Sequence, residues 1–368
     1  MCYNRERGSL CRCMSLNSPC IIPHACGGFG ENSYSRLLGT GGLVPFTRTA
    51  GDEAMKRMIK WSIAASLIVA GVAAFAQPTV DGTRDALYGS PIVVQNTQTG
   101  FGDSNLGLVN WANGSELDAA YAYVDMSAQV LYLFLAGNLE SNFNKLEIFF
   151  DTGPGGQNRL RGDNSGVDFG GLNRMGDDGS GNGLTFDSGF EADYWIGITG
   201  GNPGSGTYTL FANWAQLLTG GGGPGNYLGS TGAASNGILS GGTNPYGIRV
   251  TINNSNTGGV EGGSGLASGN GALVTTGVEL AIPFAAIGIT GAGVIKVSAF
   301  INGGGHDFLS NQVLGGIGGG GNLGEPRNVN FGNIPGDQFF SVVVPEPATL
   351  LVLGAGLTGL LALRRRKV

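Results

Sequence analysis

Seven oxygen donors crowd one glycine-rich stretch of this sequence: Asp151, Asp163, Asn164, Asp168, Asp177, Asp178 and Asn182. Carboxylates and amides in glycine-permitted turns suit a hard cation, and calcium takes about six to eight such oxygens. Asp151, Asp163, Asp168, Asp177 and Asp178 are therefore the candidate metal ligands. No D-x-[DN]-x-[DN]-G-x₅-E loop orders them, and the competing reading is a solvated acidic loop. Catalytic equipment is sparser. Between residues 77 and 344 there is one histidine, His306, and no cysteine. Cys/His catalysis is thereby excluded, and a Ser–His–Asp triad would rest on His306 alone. No G-x-S-x-G elbow occurs, and a single histidine in a glycine-rich loop is expected to be solvated. The span's 21 carboxylates leave glycoside hydrolysis by an acid pair open, but nothing in their spacing selects the pair. Arg161, Gly162 and Asp163 spell an adhesion tripeptide, which a Gly- and Asp-rich loop produces by chance.

The elements that must position these residues are strands. Gly contributes 70 of 368 residues and charged residues only 12%; each glycine in a helix interior costs about 1 kcal/mol relative to alanine. Helical bundles and coiled coils are therefore excluded. Strand signals occur at Ala119–Asp125, Val130–Ala136, Lys145–Asp151, Ala192–Thr199, Thr207–Trp214, Tyr246–Ile252, Thr276–Ile282, Val294–Ile301 and Gln338–Val344, with Ile92–Gln95 as a further short one. Phe284–Ile287 makes at most one helical turn. The fold class expected is all-β, a two-sheet antiparallel β-sandwich of jelly-roll or immunoglobulin-like type. Glycine-rich connections at 153–183, 200–206, 220–242, 258–271 and 303–324 are expected to be loops, functional or mobile. The span 77–344 has 21 acidic and 8 basic residues, a net charge of −13. Such a surface disfavours nucleic acid and anionic membranes and leaves neutral glycans, divalent cations and cationic polymers as partners.

The ends of the chain differ in kind. Met55 opens a basic start (Lys56, Arg57, Lys60), then the apolar run 61–72, then small residues with Ala74 and Ala76 placed for cleavage before Gln77. This reads as a signal peptide over 55–76 and export through the Sec machinery. The run Trp61–Phe75 has 15 residues, short of the roughly 18 to 20 that a membrane span needs. Residues 1–54 hold all five cysteines and read as a start placed too far upstream or a disordered extension. Cys11, Cys13, Cys20, Cys26 and His24 lack the C-x₂₋₄-C spacing of a zinc site. At the other end, Val344, Pro345, Glu346 and Pro347 precede the uncharged apolar run 348–363 and the basic cluster Arg364, Arg365, Arg366 and Lys367. This predicts a transmembrane helix at 348–363 with its basic end in the cytoplasm and the body outside. Gly354, Gly356 and Gly359 match G-x-G-x-x-G, but inside an apolar anchor with no βαβ unit they are not a dinucleotide site.

At 345–368 the order Pro-Glu-Pro, apolar helix, arginine cluster resembles the PEP-CTERM sorting signal of Gram-negative bacteria. The resemblance implies recognition by a membrane-embedded exosortase, cleavage near Pro345–Pro347, and passage from a transient inner-membrane anchor to the cell surface or an exopolysaccharide matrix. The body carries a second resemblance. Val80-Asp81-Gly82, LYLFLAGNL (131–139), LEIFFDT (146–152) and GVELAIPFAAIG (277–288) are similar to the sandwich of family-nine carbohydrate-binding modules and DOMON-like proteins. Sugar binders of that kind stack ligands on aromatic faces, and nothing in the sequence joins Trp111, Trp195 and Trp214 into such a platform. The resulting expectation is a non-enzymatic structural or glycan-binding protein of the surface or matrix, the alternative being a secreted carboxylate-based glycan hydrolase.

Overall fold

The computed structural model describes residues 76–202, 207–259 and 261–346. The chain divides into a unit of residues 1–73, outside the described residues, and a second of 74–368. In chain order the strands are β1 (Val93–Val94), β2 (Glu116–Asp125), β3 (Val130–Asn138), β4 (Asn142–Asp151), β5 (Tyr194–Gly201), β6 (Thr209–Gln216), β7 (Gly225–Gly232), β8 (Ser240–Gly241), β9 (Arg249–Ile252), β10 (Gly277–Pro283), β11 (Gly293–Asn302), β12 (Leu309–Val313) and β13 (Phe340–Val344). Helix among the described residues is confined to single turns, including Gly171–Arg174 and Phe284–Ala286.

Two antiparallel sheets result. The smaller runs β1-β2-β3-β10-β9; the larger runs β12-β11-β4-β5-β6-β7-β8, with β13 also paired to β11. Strand alternation builds the interface between them, because successive side chains point to opposite faces. Leu146, Ile148 and Phe150 of β4, Ile196 and Ile198 of β5, and Leu210, Ala212 and Trp214 of β6 face inward. They meet Leu131, Leu133 and Leu135 of β3 and Leu280 and Ile282 of β10 in one buried cluster. This is a β-sandwich, as its apolar patterning predicts.

The glycine-rich connections are not all plain loops. Residues 153–183 and their continuation to Ala192 lay Leu160, Leu172, Met175, Leu184, Phe186 and Phe190 against Phe149, Trp195 and Phe300 on the outer face of the larger sheet. Val329 and Phe331 join them from the segment after β12. The segments carry a second hydrophobic core; its apolar residues follow no strand or helix period, since the backbone between them is irregular. A third, smaller cluster packs Val80 and Tyr88 on Tyr121, Phe134 and Ala136 outside the smaller sheet. Among the described residues the buried clusters draw on positions between 80 and 344.

Two of the motifs quoted above meet here. The buried Glu279 carboxylate of β10 accepts from the backbone N–H of Asp81 and of Gly82, both at 2.9 Å, and from the Tyr88 hydroxyl at 2.8 Å. The early Val80-Asp81-Gly82 and the late strand are thus tied through a single side chain.

Candidate functional site: an aromatic groove over a buried ion network

The outer residues of β4 carry the chemistry. Lys145 and Glu147 lie two apart on one face of the strand, opposite Thr199 and Gly197 of β5. Glu147 is wholly buried. Its Oε2 accepts from the Trp195 indole N–H at 2.8 Å, and its Oε1 lies 2.6 Å from Nδ1 of His306. The other ring nitrogen of His306 lies 3.0 Å from Asp168 Oδ2, which also accepts from Lys145 Nζ at 3.0 Å. Lys145 donates in addition to Thr199 Oγ1 at 2.9 Å.

An imidazole can donate from both nitrogens only as the cation. With His306 charged, two cations face two anions and the cluster is neutral, which is the condition for burying such groups at tolerable cost. Burial acts against the charge on His306, but the carboxylates of Glu147 and Asp168 outweigh it and raise its pKa to about 9. Burial likewise works against ionisation of Asp168; His306 and Lys145 overcome it and hold that carboxyl at about 2. His306 is 2% exposed, so the expected solvated loop histidine is instead the hub of a buried network.

What the network clamps is a strained segment. Asp168 (φ 47°), Phe169 (φ 56°) and Gly170 (φ 84°) take left-handed backbone in succession, a conformation that costs a non-glycine residue roughly 1–2 kcal/mol. Asp168 is anchored from below, and the adjoining Phe169 ring stands fully in solvent. His306 (φ 55°) and Phe143 (φ 69°) share that conformation. Of the six non-glycine residues with positive φ among the described residues, four therefore sit at this one place. Close approach fixes two glycines as well. A Cβ on Gly171 would fall 2.1 Å from the His306 ring, and one on Gly201 would fall 2.4 Å from the Phe143 ring.

Phe143 and Phe169 flank a groove of about 860 Å³ on the outer face of β5–β7, where the irregular covering layer stops. Thr199, Phe211, Asn213 and Tyr227 line it from the strands, and Ser165 to Phe169 from the covering segment. Lys145 and Asp168 reach it from the buried network. On the other side of the 168–170 segment is a second hollow of about 510 Å³, lined by Arg174, His306 and Arg327 among others.

The five aspartates expected to hold calcium do not come together around one point. Asp151 pairs with Lys296 at 3.2 Å, Asp163 with Arg161 at 2.5 Å, Asp177 with Arg159 at 3.3 Å and Asp178 with Arg327 at 2.8 Å, while Asp168 belongs to the His306 network. Among the described residues no group of three or more His, Cys, Asp or Glu side chains is placed to hold a metal. The Arg161–Asp163 pair closes the adhesion tripeptide on itself. Of the three body tryptophans, Trp195 and Trp214 are buried and Trp111 is half exposed far along the sequence from the groove residues. The groove's aromatics are Phe143, Phe169, Phe211 and Tyr227, none of which stood out in sequence. A signal was available for one of them: Phe211, like Asn213, alternates with the apolar Leu210, Ala212 and Trp214, which assigns both to the outer face.

At the ends, the Gln77 side chain donates to Asp125 at 2.7 Å and accepts from Tyr132 at 3.2 Å. Val344 closes β13 opposite Gly293, and Pro345 and Glu346 leave the sheet exposed. Ala74, Pro347, the apolar run 348–363 and the cluster Arg364, Arg365, Arg366 and Lys367 lie outside the described residues. Among the described residues no helix is long and apolar enough to cross a membrane.

The chain matches no curated protein and no solved structure. A family model, the PEP-CTERM protein-sorting motif, matches residues 343–367. The chain thus carries a PEP-CTERM sorting motif that begins in the last two residues of β13, which implies export, processing by an exosortase, and a cell-surface or extracellular destination.

Proposed function

We propose that the exported body is a glycan-binding module whose binding face is the groove between Phe143 and Phe169. The observation that carries this is the concentration of left-handed, non-glycine backbone at Phe143, Asp168, Phe169 and His306. Strain of this kind persists only where surrounding structure over-determines it, and it clusters at ligand clamps. Here its product is an aromatic ring held fully in solvent at the lip of a groove. Aromatic faces pack against the C–H faces of sugar rings, and Thr199, Asn213 and Lys145 are placed to hydrogen-bond hydroxyls. A net charge of −13 over 77–344 favours a neutral glycan over an anionic one. Delivery to the surface or matrix would put the groove where exopolysaccharide is, after Sec export and a transient anchoring by 348–363.

Binding is favoured over hydrolysis by the state of Asp168. It is the one carboxylate lining the groove, and with its pKa near 2 it carries no proton to give to a leaving group, whereas glycosidases work with two carboxyl groups, one of them a proton donor. The test is a neutral-glycan array probed with the 77–344 span and its Phe169→Ala variant, with reducing-sugar release measured on every glycan bound. Binding without sugar release is expected, weakened about tenfold by Phe169→Ala through loss of one stacking contact. Equal binding by the two proteins would remove the groove from the proposal, and sugar release would replace it with the hydrolase.

A further inference from the structure

Five buried side-chain oxygens among the described residues have no hydrogen-bond partner, and four of them belong to neighbouring residues at one end of the smaller sheet: Ser104 Oγ, Glu116 Oε2, Asp118 Oδ1 and Asn138 Oδ1. The four residues are at most 2% exposed. Glu116 opens β2 directly opposite Asn138 at the end of β3, and the register slips between Leu117 and Ala119, so that Asp118 lies in a bulge. Bulges re-aim side chains, and this one brings the two carboxylates within reach of a single donor. The Asn256 amide donates to Glu116 Oε1 at 2.6 Å and lies 3.3 Å from Asp118 Oδ2. Asn138 spends its own amide N–H on the Ser104 carbonyl at 2.8 Å, and its side-chain oxygen has no partner. Glycine is required beside the spot: a Cβ on Gly259 (φ 102°) would fall 2.2 Å from Val274 Cγ2 and 2.5 Å from Asp118 Oδ1.

Charge makes the arrangement unusual. Each of the other two buried glutamates is compensated, Glu147 by His306 and the Trp195 N–H, Glu279 by three donors. Glu116 and Asp118 make no ion pair among the described residues, and Asp103 adds a further negative charge nearby. An ordered water could satisfy hydrogen bonds here but would bring no positive charge to the two buried carboxyl groups.

We infer that Glu116, Asp118, Asn138 and Ser104 form a calcium site, the two carboxylates supplying the charge and the amide and hydroxyl oxygens part of the shell. The donor set is all oxygen, with no sulfur or imidazole, which selects a hard cation. Calcium is favoured over magnesium because magnesium demands near-ideal octahedral geometry and keeps its waters, whereas calcium accepts an irregular cage of protein oxygens. A protein exported to the cell surface meets calcium at the concentrations that extracellular modules with dissociation constants of about 10⁻⁴ to 10⁻³ M are built for.

The test uses the full chain purified in detergent, stripped with a chelator and titrated with calcium chloride by calorimetry, with thermal unfolding followed in parallel. One calcium per chain is expected, with a rise in the unfolding midpoint that magnesium does not reproduce. Glu116→Gln preserves shape and removes one charge, and is expected to weaken calcium at least about tenfold. Asn138→Asp adds a charge to the same shell and is expected to tighten it, which separates loss of a ligand from loss of the fold. Absence of calcium binding, equal stabilisation by magnesium, or unchanged affinity in both variants would overturn the site. Stabilisation by mild acid alone, with none by calcium, would show instead a protonated carboxyl pair.

Discussion

Because His306 is the one histidine between residues 77 and 344, its charge state can be followed without overlap. Its pKa stands near 9 in the fold against an ordinary value of 6.5, so folding favours the protonated ring. The contribution is complete below pH ~6.5, declines as pH rises from there, and is gone once pH exceeds about 9. The difference between those two values corresponds to about 3 kcal/mol. The perturbation is His306→Gln, which leaves Glu147 and Asp168 facing Lys145 alone. Urea unfolding of both proteins from pH 6 to pH 10 gives the difference in stability at each pH. Glu116 and Glu279, which also titrate in this range, are present in both proteins and cancel in the difference. Wild type is expected to exceed the variant by about 3 kcal/mol at pH 6 and to converge on it by pH 10. Imidazole proton resonances of the wild type should titrate near pH 9. A stability difference that stays flat across the range, or resonances that titrate at or below 6.5, would refute the neutral four-residue network.

Two further outcomes follow from close contacts. Gly171→Ala drives a methyl group into the His306 ring; it is expected to cost about 1–3 kcal/mol by overpacking and to draw the imidazole titration down toward its ordinary value, read by the same resonance experiment. Glu279→Ala strands the N–H groups of Asp81 and Gly82 and the Tyr88 hydroxyl. At about 1–3 kcal/mol for each buried donor left unpaired, a loss of 3 kcal/mol or more is expected in urea unfolding, with Glu279→Gln losing less because its amide oxygen still accepts.

Where a strand was legible, it was legible through alternation. The runs that became β3 to β6, β10 and β11 place apolar residues at alternate positions against the inner core, and sequence reading located them to within a few residues. β7 and β12 escaped it for different reasons. Gly225–Gly232 has only Tyr227 and Leu228 as bulky residues and a positive φ at Gly229, so it reads as the loop around it. Leu309–Val313 buries Ser310, Asn311 and Gln312, and its polar groups are satisfied by distant backbone: Asn311 donates to the Gln98 carbonyl and Gln312 to that of Thr97, at 2.8 and 3.1 Å. Buried polarity of this kind leaves no hydrophobic signature.

The acidic residues show the same limit more sharply. Asp151, Asp163, Asp177 and Asp178 are close in sequence and rich in glycine neighbours, the pattern that suggests a cation site, yet each is paired with an arginine or lysine, Asp163 with its neighbour Arg161 and Asp151 and Asp178 with partners 145 and 149 positions away. Glu116 and Asp118 sit in a strand with nothing around them in sequence to suggest a metal. Local composition cannot distinguish the two cases, because what decides them is whether the fold delivers a compensating charge. Folding supplies His306 to Glu147 across 159 positions and three donors to Glu279 across nearly 200. To the Glu116–Asp118 pair it supplies one amide shared between them and the Ser104 hydroxyl beside Glu116, together with the Asn138 side-chain oxygen, which has nothing donating to it. A folded chain that gives each of its other buried glutamates two or more hydrogen-bond donors and leaves Glu116 Oε2 and Asp118 Oδ1 unpaired has arranged an environment that a divalent cation would serve well.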